Sequence, residues 1–235
     1  MTQNLKTLRA ILNWATMAGD GRGGYLLERD PLKGLPFPKE MSTQRPILTD
    51  RQYRSMLKVS RQISPLFELA LELTHETGHR IGSVQLLRWS DIDLDKQTAC
   101  WRGENDKIGF EHVTPLTAKA LKALKRVWKE RPMIGEAWLL PAPRDASQPV
   151  SRHLMRDWWQ RGEALAKVPR TPGLGWHSLR RQFATEMKET PLKDLCYLGG
   201  WKEPQTILKC YQRPDEATMR ESLAQRRPLK EASAG

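Results

Sequence analysis

HSLRRQFATEMKETPLKDLCYLGGWKEPQTILKCY, residues 177–211, is the stretch on which the reading of this chain turns. His177 and Arg180 are three positions apart, a spacing that puts both on one face of a helix. A guanidinium there can grip two oxygens of one anionic group through its planar fork, with the imidazole beside it as base or donor. A Leu-Gly-Gly-Trp turn at 198–201 comes near the end, and Tyr211 closes the stretch after a short helical pattern. A phenolic oxygen swung toward Arg180 and His177 suits phosphoryl transfer through a covalent intermediate. The same residues also fit a plain surface helix followed by a stray tyrosine, so the rest of the chain has to decide.

Composition narrows the partner. The 235 residues leave room for one large domain or two modest ones. A formal net charge of +12 and a pI of about 9.8 favour a polyanion, nucleic acid before an acidic membrane surface. Cys100, Cys196 and Cys210 are odd in number and lack C-x-x-C spacing, which argues against a disulfide framework or a cysteine-rich zinc site. No stretch approaches the roughly 20 apolar residues of a membrane helix. The front of the chain has no charged-then-apolar leader either. A cytoplasmic protein without membrane attachment is the expectation.

Upstream, residues 3–18 carry Leu5, Leu8, Leu12 and Ala15 at helical spacing, followed by the turn-rich GDGRGG. A lone amphipathic helix cannot bury its apolar face, so residues 1–29 are expected to dock on something. Four prolines within 30–46 mark a linker. Thr49-Asp-Arg-Gln52 reads as a capping box that starts a helix with Tyr53, Met56 and Leu57 inward. Ser64-Pro65 starts a second helix, with Leu66, Leu69, Ala70 and Leu73 as its stripe and Gly78 as its stop. A short helix over 81–88 follows. Strands over 98–101 and 112–114 flank the turn material Asn105 to Gly109. Helices then cover 117–129 and 151–166, with a short strand at 138–140. Pro191 and Pro204 start the last two helices, and the charged tail after Pro214 is expected to fray. The fold class is mainly α with a small antiparallel β-sheet (α+β). Most of the nine tryptophans are assigned to the core, with Tyr53 and Tyr197.

Two constellations compete for the middle of the chain. His75-Glu76-Thr77-Gly78-His79 has the H-E-x-x-H form in which two histidines bind zinc and the glutamate acts as base. Gly82 even fits the extended version, but the next ligand position is Gln85, a poor zinc ligand. Metal-dependent proteolysis is therefore a distant alternative. The second constellation runs through the same residues. Thr77-Gly78-His79-Arg80 and then Leu87-Arg88-Trp89-Ser90-Asp91-Ile92-Asp93 resemble the first conserved box of the tyrosine recombinase, or phage integrase, family. The resemblance continues in order with Lys107 in the hairpin turn, His177-x-x-Arg180, Leu198-Gly199-Gly200-Trp201 and Tyr211. It covers roughly residues 45–213.

The resemblance implies a tyrosine-recombinase catalytic domain over 47–214. Ahead of it would lie a remnant of a helical DNA-clamping domain at 1–29 and a linker at 30–46, with a tail at 215–235 behind. It implies site-specific cleavage and rejoining of double-stranded DNA through a 3′-phosphotyrosyl link, by a homotetramer on two duplexes exchanging C-terminal segments, 215–230 being a candidate for that contact. No cofactor or metal is called for. Arg80 and Arg180 would hold the phosphate oxygens, Tyr211 would attack, His177 would act as base or relay, and Lys107 would protonate the leaving oxygen, with Arg102 on the same hairpin as its competitor. Trp201 stands where histidine is commoner; its indole N–H can donate to a phosphate oxygen but cannot carry a proton. Arg181 is expected to face phosphate or solvent. Binding would weaken steeply with salt and place the protein on the nucleoid.

Three departures stand out. Ser83 replaces an acid, Trp201 and Tyr211 are ten apart where nine is commoner, and the front of the chain looks short for a full clamp. A non-catalytic DNA-binding remnant of an integrase is therefore the alternative within the family. A type IB topoisomerase, which relaxes supercoils without a specific site, shares the same residues.

Overall fold

The computed structural model describes residues 2–36, 45–105, 109–211 and 216–224. The chain divides into two compact units, Met1–Gln44 and Arg45–Gly235. In the first unit, helix α1 (Thr2–Ala15) is followed by tight turns. Asp20 caps one of them by accepting from the backbone N–H groups of Arg22 and Gly24. Leu8, Ile11 and Trp14 of α1 remain exposed.

The second unit is built around α3 (Pro65–Thr77). Leu66, Phe67, Leu69, Ala70, Leu71 and Leu73 are all buried, so apolar residues cover more of its circumference than the single stripe read from the sequence. Three helices account for this, since α2 (Asp50–Ile63), α5 (Ala118–Glu130) and α7 (Trp176–Glu186) all pack on α3. Each large side chain buried in this way contributes roughly 1.5–3 kcal/mol. Helix α2 starts at the expected capping box: Gln52 N–H donates to Thr49 Oγ1, and Thr49 N–H donates to Gln52 Oε1. Helix α6 (Arg152–Leu165) closes the core from the α2 side with Met155, Trp158 and Trp159.

Between α4 (Ile81–Gln85) and α5 lies a three-stranded antiparallel sheet in the order β1 (Ile92–Asp93), β2 (Thr98–Trp101), β3 (His112–Pro115). The hairpin register sets Thr98 opposite Pro115 and Trp101 opposite His112. Strand β1 is too short to show alternation in the sequence. The expected strand at 138–140 is instead one isolated bridge, Trp138 to Arg88, and the Trp138 indole N–H donates to the Ser147 carbonyl. Helices α8 (Leu192–Gly199) and α9 (Pro204–Cys210) lead to Tyr211. Where fraying was expected, residues Glu216–Ala224 form a further helix, α10.

Gly78 caps α3 in the left-handed conformation, with φ of 66°. A Cβ there would overlap the Phe183 ring of α7. Gly78→Ala therefore combines backbone strain with a clash, and the expected loss is roughly 3 kcal/mol. A denaturation midpoint unchanged from the parent protein would contradict this packing.

Candidate active site

The Gly78 cap turns the chain so that His79 and Arg80 leave the line of α3. Arg80 becomes the N-cap of α4, extended and half-buried. The same turn disposes of the zinc reading. His75, still on α3, stacks on Tyr53 with ring centroids 3.8 Å apart, and its Nδ1 is 3.1 Å from Glu76. His79, beyond the helix end, stacks on Trp101 at 3.4 Å. Gln85 gives its amide to the Val150 carbonyl. H-E-x-x-H needs an unbroken helix to aim both rings at one point, and here the helix stops between them. Among the described residues no group of three or more His, Cys, Asp or Glu side chains is placed to hold a metal.

Arg180 of α7 is only 1% exposed. Its Nη1 donates to the carbonyls of Gly78 (2.6 Å) and Gly199, and its Nη2 donates to the carbonyl of Gly200 (3.3 Å). One guanidinium thus ties the turn before Arg80 to the turn before Trp201. Gly200 is left-handed, with φ of 66°, which aims these carbonyls inward. The Trp201 ring lies under Arg180, 3.7 Å from the guanidinium carbon, an arrangement that stabilises a buried cation. Trp201 is itself 3% exposed, and its indole N–H has no hydrogen-bond partner among the described residues. It therefore serves the core, with this N–H buried in it.

Tyr211 follows α9 and sits in a small apolar cluster with Phe183, Ala184, Leu195, Cys196, Trp201 and Ile207. Its phenol oxygen lies 2.8 Å from His177 Nε2, within hydrogen-bond distance. Its carbonyl accepts from the Thr185 hydroxyl at 3.2 Å, which fixes the backbone that carries the ring. Burial, then the positive charges of Arg181, Arg180, Arg80 and Arg45, push the His177 pKa down from 6.5 to about 4. A neutral imidazole with its lone pair on the phenol proton is the form a general base requires.

An unfolded chain takes up this histidine's proton near 6.5, whereas the folded one holds off until about 4. Stability is therefore full above about 6.5 and is lost as pH falls toward about 4. His177 is an exposed residue, and solvent screening strongly reduces the loss. The expected result is a denaturation midpoint that drops over this range by less in His177→Gln than in the parent. Parallel curves for the two proteins would show that the ring is not held neutral.

The structure thus brings Arg180, Trp201, His177 and Tyr211 together, with Arg80 close enough for its charge to act on His177. Lys107 lies outside the described residues. Its competitor Arg102 is occupied by Asp91 (2.6 Å) and Ser90. Arg181 does not face solvent as expected. It is 3% exposed and donates to the carbonyls of Pro46 and Gly173. Tyr197 is no core residue either, being 46% exposed. Ser83 lines a small cavity that Asp91 and Arg102 also line. Arg45, whose charge acts on His177, sits at the end of a proline-rich stretch with no motif to single it out.

The sequence profile described as the Phage integrase family matches residues 46–218. A putative integrase/recombinase of Haemophilus influenzae is 25% identical over 209 residues, covering 86% of this chain and 64% of the relative. The prophage integrase IntF of Escherichia coli is 26% identical over 220 residues, covering 88% of this chain and 44% of the relative. The chain therefore spans less than two thirds of either. Among solved structures, a lambda integrase dimer bound to a COC′ core site has the same fold, with a TM-score of 0.72 at 21% identity over 90% of this chain and 59% of that one.

Proposed function

This chain belongs to the phage integrase family of tyrosine recombinases, and from that membership we propose that it cuts and rejoins double-stranded DNA at specific sites through a 3′-phosphotyrosyl intermediate on Tyr211. The observation that carries the reading is the 2.8 Å contact between the phenol and a neutral His177, set among guanidiniums. As the phenolic oxygen attacks phosphorus, its proton passes to His177 Nε2. The bond from phosphorus to the 5′-oxygen breaks, and that oxygen takes a proton, a role the family assigns to Lys107. Rejoining is the reverse, with the 5′-hydroxyl attacking and the tyrosine leaving. No net bond energy is lost, so no energy source enters the cycle.

Charge builds on the non-bridging oxygens during attack. To Arg80, half-buried at the start of α4, we assign their neutralisation. Arg180 supplies positive charge from the floor of the site and holds the two turns in register. Trp201 lies beneath Arg180 in the same floor and stabilises its charge. Fixed donors of this kind are worth roughly 3–4 kcal/mol each in comparable oxyanion sites. We assign residues 47–214 to catalysis and 1–29 to the clamping domain. Assembly is as a homotetramer on two DNA duplexes, with α10, which exposes Met219 and Leu223, as the exchanged contact.

The test uses the full chain and a nicked duplex from the DNA flanking its own gene, in which the cut strand diffuses away and traps the intermediate. A covalent protein–DNA adduct that survives detergent supports the reading. Retarded DNA without an adduct supports the non-catalytic remnant instead.

A further inference from the structure

Arg45 and Arg181 carry no step of the mechanism above, yet the structure joins both to its centre. Arg181 follows Arg180 on α7 and is buried. Its Nε and Nη2 both donate to the Pro46 carbonyl, at 3.1 and 2.8 Å, and Nη2 also donates to the Gly173 carbonyl at 2.8 Å. Gly173 is left-handed, with φ of 83°, and a Cβ on it would stand 3.3 Å from Pro46 Cδ. The Pro46 ring is therefore seated on the loop that runs into His177. Leu48, 1% exposed, anchors the residues that follow in the main core. Arg45 thus precedes a proline clasped from two sides, and a residue before proline is confined to extended backbone. Arg45 itself is exposed.

We propose that Arg45 is a further phosphate-binding residue, gripping a backbone phosphate of the strand held at Tyr211, and that Arg181 is the positioning residue that sets it there. Four guanidiniums act on His177, namely Arg181, Arg180, Arg80 and Arg45. Arg181 and Arg180 are buried and donate to carbonyls of the protein itself. Arg80 is half-buried and assigned to the phosphorus under attack, so Arg45 is the exposed member of the four. Its planar fork meets two non-bridging oxygens at once. Backbone fixed before the DNA arrives lowers the ordering cost of that contact. The inference rests on the DNA reading above and adds to it a residue that none of the motifs contains.

The test measures binding of the full chain to the flanking duplex at several salt concentrations, and cleavage of the nicked form against pH. Arg45→Ala changes an exposed side chain and is expected to fold as the parent does. Binding should weaken about tenfold, and the slope of log affinity against log salt should fall by about one. Arg45→Lys keeps the charge without the fork, so the slope is retained and part of the affinity returns. The Arg45 charge also helps to keep His177 neutral, along with the other three guanidiniums, while Tyr211 faces the same ring. The acid limb of the cleavage profile therefore moves to higher pH in Arg45→Ala and stays in place in Arg45→Lys. Arg181→Gln should lower the salt slope as Arg45→Ala does, and the double variant by no more than either alone, because Arg181 acts through Arg45. Arg45→Ala with the parent's slope overturns the proposal, even if Arg181→Gln fails to fold. Additive slopes overturn the positioning role. The expected slopes in a chain that never cleaves DNA would leave the phosphate contact standing and remove the recombinase reading. A parent chain that leaves the duplex unbound removes both.

Discussion

Tyr211→Phe is expected to leave a folded protein that binds DNA as the parent does and forms no covalent adduct. The ring keeps its edge-on packing against Trp201, 5.5 Å between centroids, and its place beside Arg180. Only the phenol oxygen goes, and with it one hydrogen bond to His177, worth about 1 kcal/mol of stability. The chemical consequence is far larger, because among the described residues no other hydroxyl is held against the His177 ring. Strand cleavage on the nicked duplex should fall by at least about 10³-fold, as when a nucleophile is removed elsewhere. Detergent gels of labelled DNA read the adduct, and retardation at constant salt reads binding. An adduct that persists in Tyr211→Phe would assign the nucleophile to another residue.

Arg180→Ala should damage both fold and chemistry. It strands the carbonyls of Gly78, Gly199 and Gly200 in the interior and removes the cation stacked on Trp201. The expected loss of stability is about 3–5 kcal/mol, with adduct formation below detection. Arg180→Lys separates the two effects. An ammonium keeps the charge but lacks the planar fork that reaches carbonyls in two turns. Most of the stability should return, while cleavage stays down by about 10²-fold or more because the turns lose register. Urea midpoints and adduct rates on the same preparations decide it. A lysine variant with full cleavage would reduce Arg180 to a point charge.

Much of the fold was legible in the chain. Thr49 to Gln52 announced a helix start, Pro65 another, and Gly78 a stop, because capping is local chemistry. The hairpin strands were readable from turn residues between β-formers. Strand β1 was not, since two residues carry no period, and residues 216–224 looked too charged for a helix. At the candidate site, residue types and order pointed to Arg80, His177, Arg180, Trp201 and Tyr211, but not to their contacts. Arg181 was misjudged because a basic residue defaults to solvent, and its carbonyl partner at Pro46 is 135 positions away. The contact of His79 with His112 spans 33 positions and no motif contains both. In each case the missing information was long-range pairing, which local pattern does not encode.

The tyrosine does not belong to the main core around α3. It rides on its own small cluster with Phe183, Leu195, Cys196, Trp201 and Ile207. The free energy of a partial opening follows the surface it exposes. Because its apolar contacts fall in this second cluster, the segment from α8 onward is expected to open at lower cost than the α2–α3–α5 scaffold. A phenol mounted on such a segment would be presented or withdrawn for less than the free energy of unfolding the whole domain.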